Sequence, residues 1–348
     1  MKAAVLYGNE DIRYEANYPE PEIKPGMIKV RSVASGICGS DIPRVLANGA
    51  RKYPIILGHE CGGYVVETGE GVDSVKIGDH VAIVPLIPCM ECEDCNAGNY
   101  SLCKHYSFIG SRQDGTFAEF VMVPEGHVIK VDEKIPFDEV ALFEPCTVAL
   151  HGLKQGNFKP GKKVAVLGGG TVGLFAMQWA KILGAEKVVA FEYVKEKLEL
   201  SRKAGADEVI WTAEDDYMEK AMALTGDRGY DYVFETAGSV VTMHMAFELV
   251  RNKGQICFIG TPTADITFTP KQWENINRKE MYITGSWMSY SRPWPGDEWE
   301  MTQEHFASGD LKVIDGMIHK EFDLSEADKA FKMFKNKEVK GKILLTCK

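Results

Sequence analysis

The sequence predicts an α/β protein in which an all-β domain precedes a doubly wound parallel sheet. Three observations predict it. Short β-branched runs punctuated by Gly and Pro fill residues 1–150. Apolar runs then alternate with helical segments as far as residue 286. A glycine-rich turn separates the first of those runs from the helix after it.

In the first domain, Met27–Val33, Gly62–Glu67 and His80–Val84 read as strands, with turn residues such as Lys76-Ile-Gly-Asp79 between such runs. In the second, residues 151–286, the strand runs are Val164–Leu167, Val188–Phe191, Glu208–Ile210, Tyr232–Phe234, Ile256–Ile259 and Tyr282–Thr284. Between them lie helical segments at Val172–Leu183, Lys195–Ala204, Glu214–Leu224 and Ser239–Val250. Strands apolar on both faces and joined by helices imply right-handed crossovers and a sheet covered on both sides. Residues 287–348 are mixed: a Trp/Tyr/Pro-rich stretch from Trp287 to Trp299, a helix near Ser325–Lys335 and a final strand at Lys342–Thr346. This last part is expected to return to the first domain.

A chain of 348 residues suits two domains, and 45% hydrophobic with 26% charged residues is ordinary for a globular protein. A net charge of -10 with no dense Lys/Arg tract argues against a nucleic-acid partner. An anionic substrate would need local basic residues. Met1–Arg13 lacks a signal-peptide stretch, and no apolar run is long enough to span a bilayer. The expectation is a cytoplasmic protein with no membrane partner. In such a reducing compartment, 9 cysteines read as metal ligands before disulfides.

Gly168-Gly-Gly-Thr171-Val172-Gly173 fits G-x-G-x-x-G and sits where that pattern has meaning, after a strand and opening a helix. Gly168 permits the tight turn, Gly170 lets backbone approach a pyrophosphate, and Gly173 lets the helix pack on the sheet. The helix N-terminus offers free N–H groups to phosphate. Glu192 ends the next strand run, where a carboxylate accepts from ribose hydroxyls and repels an extra phosphate. The expected cofactor is therefore NAD. Lys197 is a candidate for the ribose edge, or else a solvated helix charge.

Cys89, Cys92, Cys95 and Cys103 have the spacing C-x2-C-x2-C-x7-C, which lets four thiolates close a tetrahedral shell on a structural zinc. An iron–sulfur cluster fits less well, because bacterial ferredoxin runs place three residues before the fourth Cys and Pro after it.

Three further segments carry metal-ligand chemistry: Cys38 with Ser40, His59 with Glu60, and Glu144. Taken singly, each has a plain structural explanation: a small buried thiol, a satisfied core histidine, a helix-capping charge. Together with the cysteine lobe, the Gly168 loop and the turn Gly78-Asp79-His80-Val81, the pattern Gly58-His59-Glu60-x2-Gly63-x5-Gly69-x2-Val72 resembles the medium-chain zinc-dependent dehydrogenases, in their polyol branch. The resemblance covers essentially the whole chain. It implies a GroES-like β-barrel catalytic domain with a Rossmann domain inserted, and an active site between them. It implies Cys38, His59 and Glu144 as ligands of a second, catalytic zinc, Ser40 as the hydroxyl that takes the substrate proton, and Glu60 as an alternating ligand or a base. Three protein ligands leave an open position where a substrate hydroxyl is acidified before hydride passes to the nicotinamide. One position departs from the family: Pro43 stands where many relatives carry the histidine that passes the proton on. The relay must end in water or a cofactor ribose.

The segments Gly285–Glu300, Cys38–Arg44 and Ile109–Arg112 resemble dehydrogenases of sugar-alcohol phosphates. This implies a polyol phosphate as the small-molecule substrate. Arg44, Arg112 and Arg292 are candidate phosphate clamps, since guanidinium matches phosphate bidentately. Trp287, Tyr290 and Trp294 are candidate walls, or else aromatic packing. Sorbitol and arabitol phosphate are the alternative substrates, and a non-enzymatic nucleotide-binding protein on the same fold is the alternative of another class. By resemblance the chain is expected to pair as a homodimer through a strand near Met281–Ser286, with a tetramer as the other option.

Overall fold

The computed structural model describes residues 1–347. The chain divides into two compact units: Met1–Glu144 with Tyr290–Lys348, and Pro145–Ser289. The limits expected from composition, at 150/151 and 286/287, lie several residues away. The first limit instead falls inside a helix, Phe143–Gln155, that the strand-and-turn texture does not announce.

The first unit is built mainly of antiparallel strands. Its larger sheet runs Val128–Lys130, His80–Ile83, Glu60–Thr68, Met27–Gly36, Lys342–Thr346, Ile318–Asp323, and Phe120–Pro124 also pairs with Met27–Gly36. Lys342–Thr346, the expected final strand, lies antiparallel to Met27–Gly36 with Leu344 opposite Gly36. The whole stretch between Gly36 and Lys342 therefore separates two neighbouring strands in sequence. A smaller sheet joins Asp11–Glu15, Ala3–Gly8 and Ile55–Ile56. Its side chains share a core with Leu57, Phe117, Phe331 and Leu345.

The second unit is a six-stranded parallel sheet: Glu208–Trp211, Lys187–Glu192, Lys163–Leu167, Tyr230–Glu235, Val250–Phe258, Tyr282–Gly285. The central strands are apolar because both faces are covered: Val164 to Leu167 and Val188 to Ala190 have no exposed surface. The helix Thr171–Ile182 buries Leu174, Phe175, Ala176 and Met177 in succession. That explains its nearly uninterrupted apolar sequence.

Several helical expectations are shortened. Lys195–Ala204 becomes a 3-10 turn, Lys195–Lys197, and a short helix, Leu198–Lys203. Glu214–Leu224 reduces to Tyr217–Ala223. Besides Phe143–Gln155, two helices of ten or more residues went unread. Pro270–Lys279 opens on a capping box between Thr269 and Gln272 with Pro at its start, a signal present in the sequence. Asp297–Ser308 begins inside the aromatic stretch that reads as irregular.

Candidate functional site

The glycine loop lies where the Lys163–Leu167 strand hands over to the Thr171–Ile182 helix. Gly168 has φ of +102°, open to glycine and costly for other residues. A Cβ on Gly173 would collide with the Gly168 carbonyl, whereas one on Gly170 would meet only open space. Close packing is thus demanded at Gly173, and Gly170 faces a space that a ligand can enter. No side chain caps this helix, so N–H groups of its first turn, Thr171 and Val172 included, remain for an anion. Glu192 is buried and accepts hydrogen bonds from the Gly169 and Val194 N–H groups, both at 2.7 Å. The loop and the carboxylate are therefore one fixed unit. Lys197 sits half-buried on the following 3-10 turn, while its neighbour Lys195 lies 5.0 Å over the Trp211 ring.

In the cysteine lobe, the sulfur atoms of Cys89, Cys92, Cys95 and Cys103 all lie within 4.8 Å of one another. Cys89 Sγ is 3.5 Å from Cys103 Sγ and 4.0 Å from Cys95 Sγ, and all four thiols are free. Backbone N–H groups point at the sulfurs: Cys89 N–H donates to Cys103 Sγ at 3.3 Å. The backbone N–H of Glu91, with that of Cys92, holds the Cys89 thiol down at about 6, whereas burial pushes Cys95 up to about 12. Four sulfurs converging on one point, with amide donors around them, fit a closed thiolate shell on zinc.

The second cluster assembles at the ends of two paired strands of the first unit. Cys38 follows the Met27–Gly36 strand, His59 precedes Glu60–Thr68, and donor atoms of Cys38, His59 and Glu60 lie within 4.8 Å of one another. His59 is buried, with its ring edge-on to Phe108 at 5.3 Å. Its Nδ1 has no hydrogen-bond partner, and Asp41 Oδ1 is 3.9 Å away. A buried imidazole left short of a partner, beside a thiol and carboxylates, fits a metal site. Asp41 has no exposed surface; its Oδ2 accepts from the Cys38 N–H at 3.2 Å, and its carboxyl is raised by burial. It therefore holds the Cys38 backbone and stands 3.9 Å from His59 Nδ1 without bonding it.

Glu144 occupies the first turn of the Phe143–Gln155 helix and is buried. It stands outside the tight trio of donors but inside its field. Burial pushes its carboxyl up to about 7, with His59 opposing and Glu60 adding. Burial likewise raises the Cys38 thiol, and Glu60 and Asp41 add to this. Ser40 Oγ donates to Cys38 Sγ at 3.3 Å and accepts from Arg44 Nη1 at 2.9 Å.

One participant was not legible in the sequence. Lys342, at the start of the last strand, is buried and donates to both oxygens of Glu60, at 2.6 and 2.8 Å. Burial would lower it, but Glu60 and Cys38 outweigh burial and keep it charged. The available signal is faint: a lysine leading a strand whose other positions are all buried.

The substrate residues do not converge. Of the arginines only Arg44 stands beside the metal cluster, bonded to Ser40 and, at 3.1 Å, to Asp41. Arg112 folds back onto Tyr106, donating to its carbonyl at 2.9 Å and covering its ring at 3.8 Å. Arg292 packs against Gly98 in the cysteine lobe. Tyr290 and Trp294 stack on each other at 5.6 Å; Tyr290 is buried, and Trp294 donates to the Gly126 carbonyl at 2.8 Å. These two are packing, not walls. Trp287 is exposed, in the second unit.

Known proteins share this arrangement. The alcohol dehydrogenase GroES-like domain matches residues 24–133, and the zinc-binding dehydrogenase domain matches residues 171–304. Galactitol 1-phosphate 5-dehydrogenase of Escherichia coli (strain K12) is 39% identical over 326 residues, which is 93% of this chain and 94% of the relative. The chain belongs to the zinc-type medium-chain alcohol dehydrogenases.

Its branch is that of the polyol dehydrogenases. Sorbitol dehydrogenase of Bacillus subtilis (strain 168) is 34% identical over 268 residues, 76% of each chain. The crystal structure of galactitol-1-phosphate dehydrogenase from Escherichia coli superposes with a TM-score of 0.94 at 37% identity, covering 99% of this chain and 100% of that one. As a member of this family the protein is an oxidoreductase acting on alcohols, with zinc and a nicotinamide dinucleotide as cofactors. The GroES-like and Rossmann-type assignments hold with it.

Proposed function

We propose that this dehydrogenase oxidises a sugar-alcohol phosphate to a ketose phosphate with NAD, and that the pair is galactitol 1-phosphate and tagatose 6-phosphate. The observation that carries the substrate is the 39% identity to galactitol 1-phosphate 5-dehydrogenase across 93% of the chain. Arg44 beside the metal cluster supports a phosphorylated substrate.

Cys38, His59 and Glu144 would hold the catalytic zinc. Glu60 is the less suited carboxylate, because both its oxygens are engaged by Lys342. Zinc bound there supplies Lewis acidity toward a substrate hydroxyl. Ser40 Oγ stands next to Cys38 at the surface and would accept the hydroxyl proton while releasing its own to water, with Arg44 fixing its direction. Asp41 faces the imidazole of His59 at 3.9 Å and, with the metal bound, would close onto its Nδ1. Cys89, Cys92, Cys95 and Cys103 would hold the structural zinc, whose filled shell leaves no place for substrate. Gly168, Gly170 and Gly173 shape the phosphate-binding turn, and Glu192 receives the adenosine ribose.

The exposed edge strand Tyr282–Gly285, with Tyr282 and Ile283 open to solvent, supports a homodimer formed by pairing with the same strand of a second copy. Nine cysteines with no disulfide among the described residues fit a reducing compartment such as the cytoplasm. Among the described residues, no helix is long and apolar enough to cross a membrane.

The similarity to sorbitol dehydrogenase favours a second reading, an unphosphorylated polyol. The test is NADH formation from galactitol 1-phosphate, galactitol, sorbitol and arabitol phosphate side by side, with zinc measured on the same sample. Turnover indifferent to the phosphate rejects the first reading. A single zinc per chain with no turnover rejects both and leaves a binding protein.

A further inference from the structure

We propose that the loop between the helix Asp41–Leu46 and the strand Ile55–Ile56 sets the phosphate specificity of the enzyme, with Arg51 and Lys52 at its tip receiving the substrate's phosphate. The inference deepens the reading of the substrate as a sugar-alcohol phosphate and rests on it.

A chain of net charge -10 repels a dianion at long range, so the phosphate needs cations close by. The three arginines singled out from the sequence do not meet that need. Arg112 and Arg292 are packed elsewhere, and Arg44 commits its Nη1 to Ser40 and Asp41 at the metal cluster. In an extended galactitol 1-phosphate, seven bonds separate the oxygen on the oxidised carbon from the phosphorus. At roughly 1.2 Å of advance per bond, that is about 8 Å. The phosphate therefore lies beyond the immediate neighbours of the metal.

The loop is placed to meet it. The chain leaves Cys38 through the helix, turns, and returns through Ile55 and Ile56 to His59, so both ends of the loop lead to the metal cluster. The cluster is open on this side: Gly39 and Ser40 are exposed, while His59 is buried. The 6 residues of the helix advance only about 9 Å. The loop thus begins about one polyol length from Ser40. Its two feet are fixed, since Val45, Ile55 and Ile56 share one buried core cluster. Its turn is tied down as well. Asn9 Nδ2 donates to the Ala47 carbonyl at 2.9 Å, and the Ala50 N–H donates to the Tyr53 hydroxyl at 2.9 Å. Gly49 has φ of +75°, and a Cβ there would collide with that hydroxyl. Arg51 and Lys52 are exposed, and among the described residues neither has an ion-pair partner. Glu10, whose N–H donates to the Val45 carbonyl beside the loop, is already paired with Lys335 at 2.6 Å. Two uncommitted cations on a fixed loop, a chain length from the metal, match a substrate that carries a dianion at its far end.

The experiment measures kcat and KM for galactitol 1-phosphate and for galactitol on the full-length, zinc-loaded enzyme with NAD. Wild type is compared with three double variants. Arg51→Ala/Lys52→Ala removes the charges, and Arg51→Lys/Lys52→Arg keeps them. Arg228→Ala/Lys337→Ala removes two exposed, unpaired charges elsewhere. Losing charge-assisted hydrogen bonds to phosphate should lower the preference for the phosphorylated substrate, as a ratio of kcat/KM, about tenfold to a hundredfold. The loss should fall on KM, because a phosphate remote from the reacting carbon is held equally in ground and transition states. The charge-keeping pair should retain most of the preference, and the distant pair all of it. A preference within about threefold of wild type in Arg51→Ala/Lys52→Ala, or an equal fall in the distant pair, overturns the proposal. So does a loss that falls equally on both polyols, which shows a loop that only supports the fold. If galactitol is not turned over, KM for the phosphate decides alone, and an unchanged KM overturns the proposal. A wild type with no preference for the phosphate defeats the substrate reading itself, and the proposal with it, before any variant is compared.

Discussion

Replacing Glu192 by Ala should shift the dinucleotide preference from NAD toward NADP. The carboxylate is buried at the end of the Lys187–Glu192 strand, and its two oxygens are held at 2.7 Å by the Gly169 and Val194 N–H groups. In the proposed reading it would present its carboxylate, held in place, to the ribose of a bound dinucleotide. A hydrogen bond to a charged acceptor contributes about 1.5–3 kcal/mol, so losing it should lower kcat/KM for NAD about tenfold or more. For NADP the sign reverses. Two unit charges roughly 5 Å apart at an effective dielectric of about 20 repel by about 3 kcal/mol. Halving that for solvent at the rim still leaves about tenfold to be regained. The substitution also frees two backbone N–H groups, which can donate to the added phosphate. The NADP-to-NAD ratio of kcat/KM should thus move by about a hundredfold, measured with one alcohol and both dinucleotides. A shift below about threefold, in a variant that melts as a folded protein, would refute the claim that this carboxylate sets the preference.

Three other outcomes are expected. A chelator should remove the zinc proposed for Cys38, His59 and Glu144 before the zinc proposed for the cysteine lobe; metal-by-metal loss at equal rates would contradict the assignment. Zinc uptake by metal-free protein should be proton-linked. Burial pushes Glu144 up to about 7, and its carboxylate must lose that proton to bind the ion, so affinity rises with pH. Between pH 6 and 8 this one group accounts for about a tenfold gain, and the raised Cys38 thiol adds to it in the same direction; titrations at the two pH values check this. Arg44→Ala should cost roughly tenfold to a hundredfold in kcat/KM for a polyol phosphate, and much less for the unphosphorylated polyol. Equal losses on both would make Arg44 a support for Ser40 and Asp41 only.

Much of the fold was legible because its signals are local. Apolar runs of strand length between helical segments announced the parallel sheet, and all six runs appear as its strands. Boundaries were less legible, since they depend on capping and packing. The Asp297–Ser308 helix hides behind a Trp/Pro-rich approach, and the Glu214–Leu224 helix loses its first turn to loop residues that bind Lys220 through Glu214 and Asp216. Tyr290 and Trp294 illustrate the limit for side chains. Aromatic residues beside arginines resemble a binding wall in sequence, yet here they stack against Tyr100, His127 and Trp299. Composition carries no information on which way a ring faces.

The sequence by itself determined the cysteine lobe and the glycine turn. Their ligating or contacting atoms lie within a few residues of one another, so spacing alone constrains their geometry. Tertiary structure decided the other metal cluster. Cys38, His59 and Glu144 come from separate segments, and only strand pairing brings the first two within reach of each other. It decided still more at Lys342, which lies 282 residues from the Glu60 it neutralises. That contact exists because the final strand returns to pair with Met27–Gly36. A buried charge needs its partner in space rather than in sequence, and the returning strand supplies it.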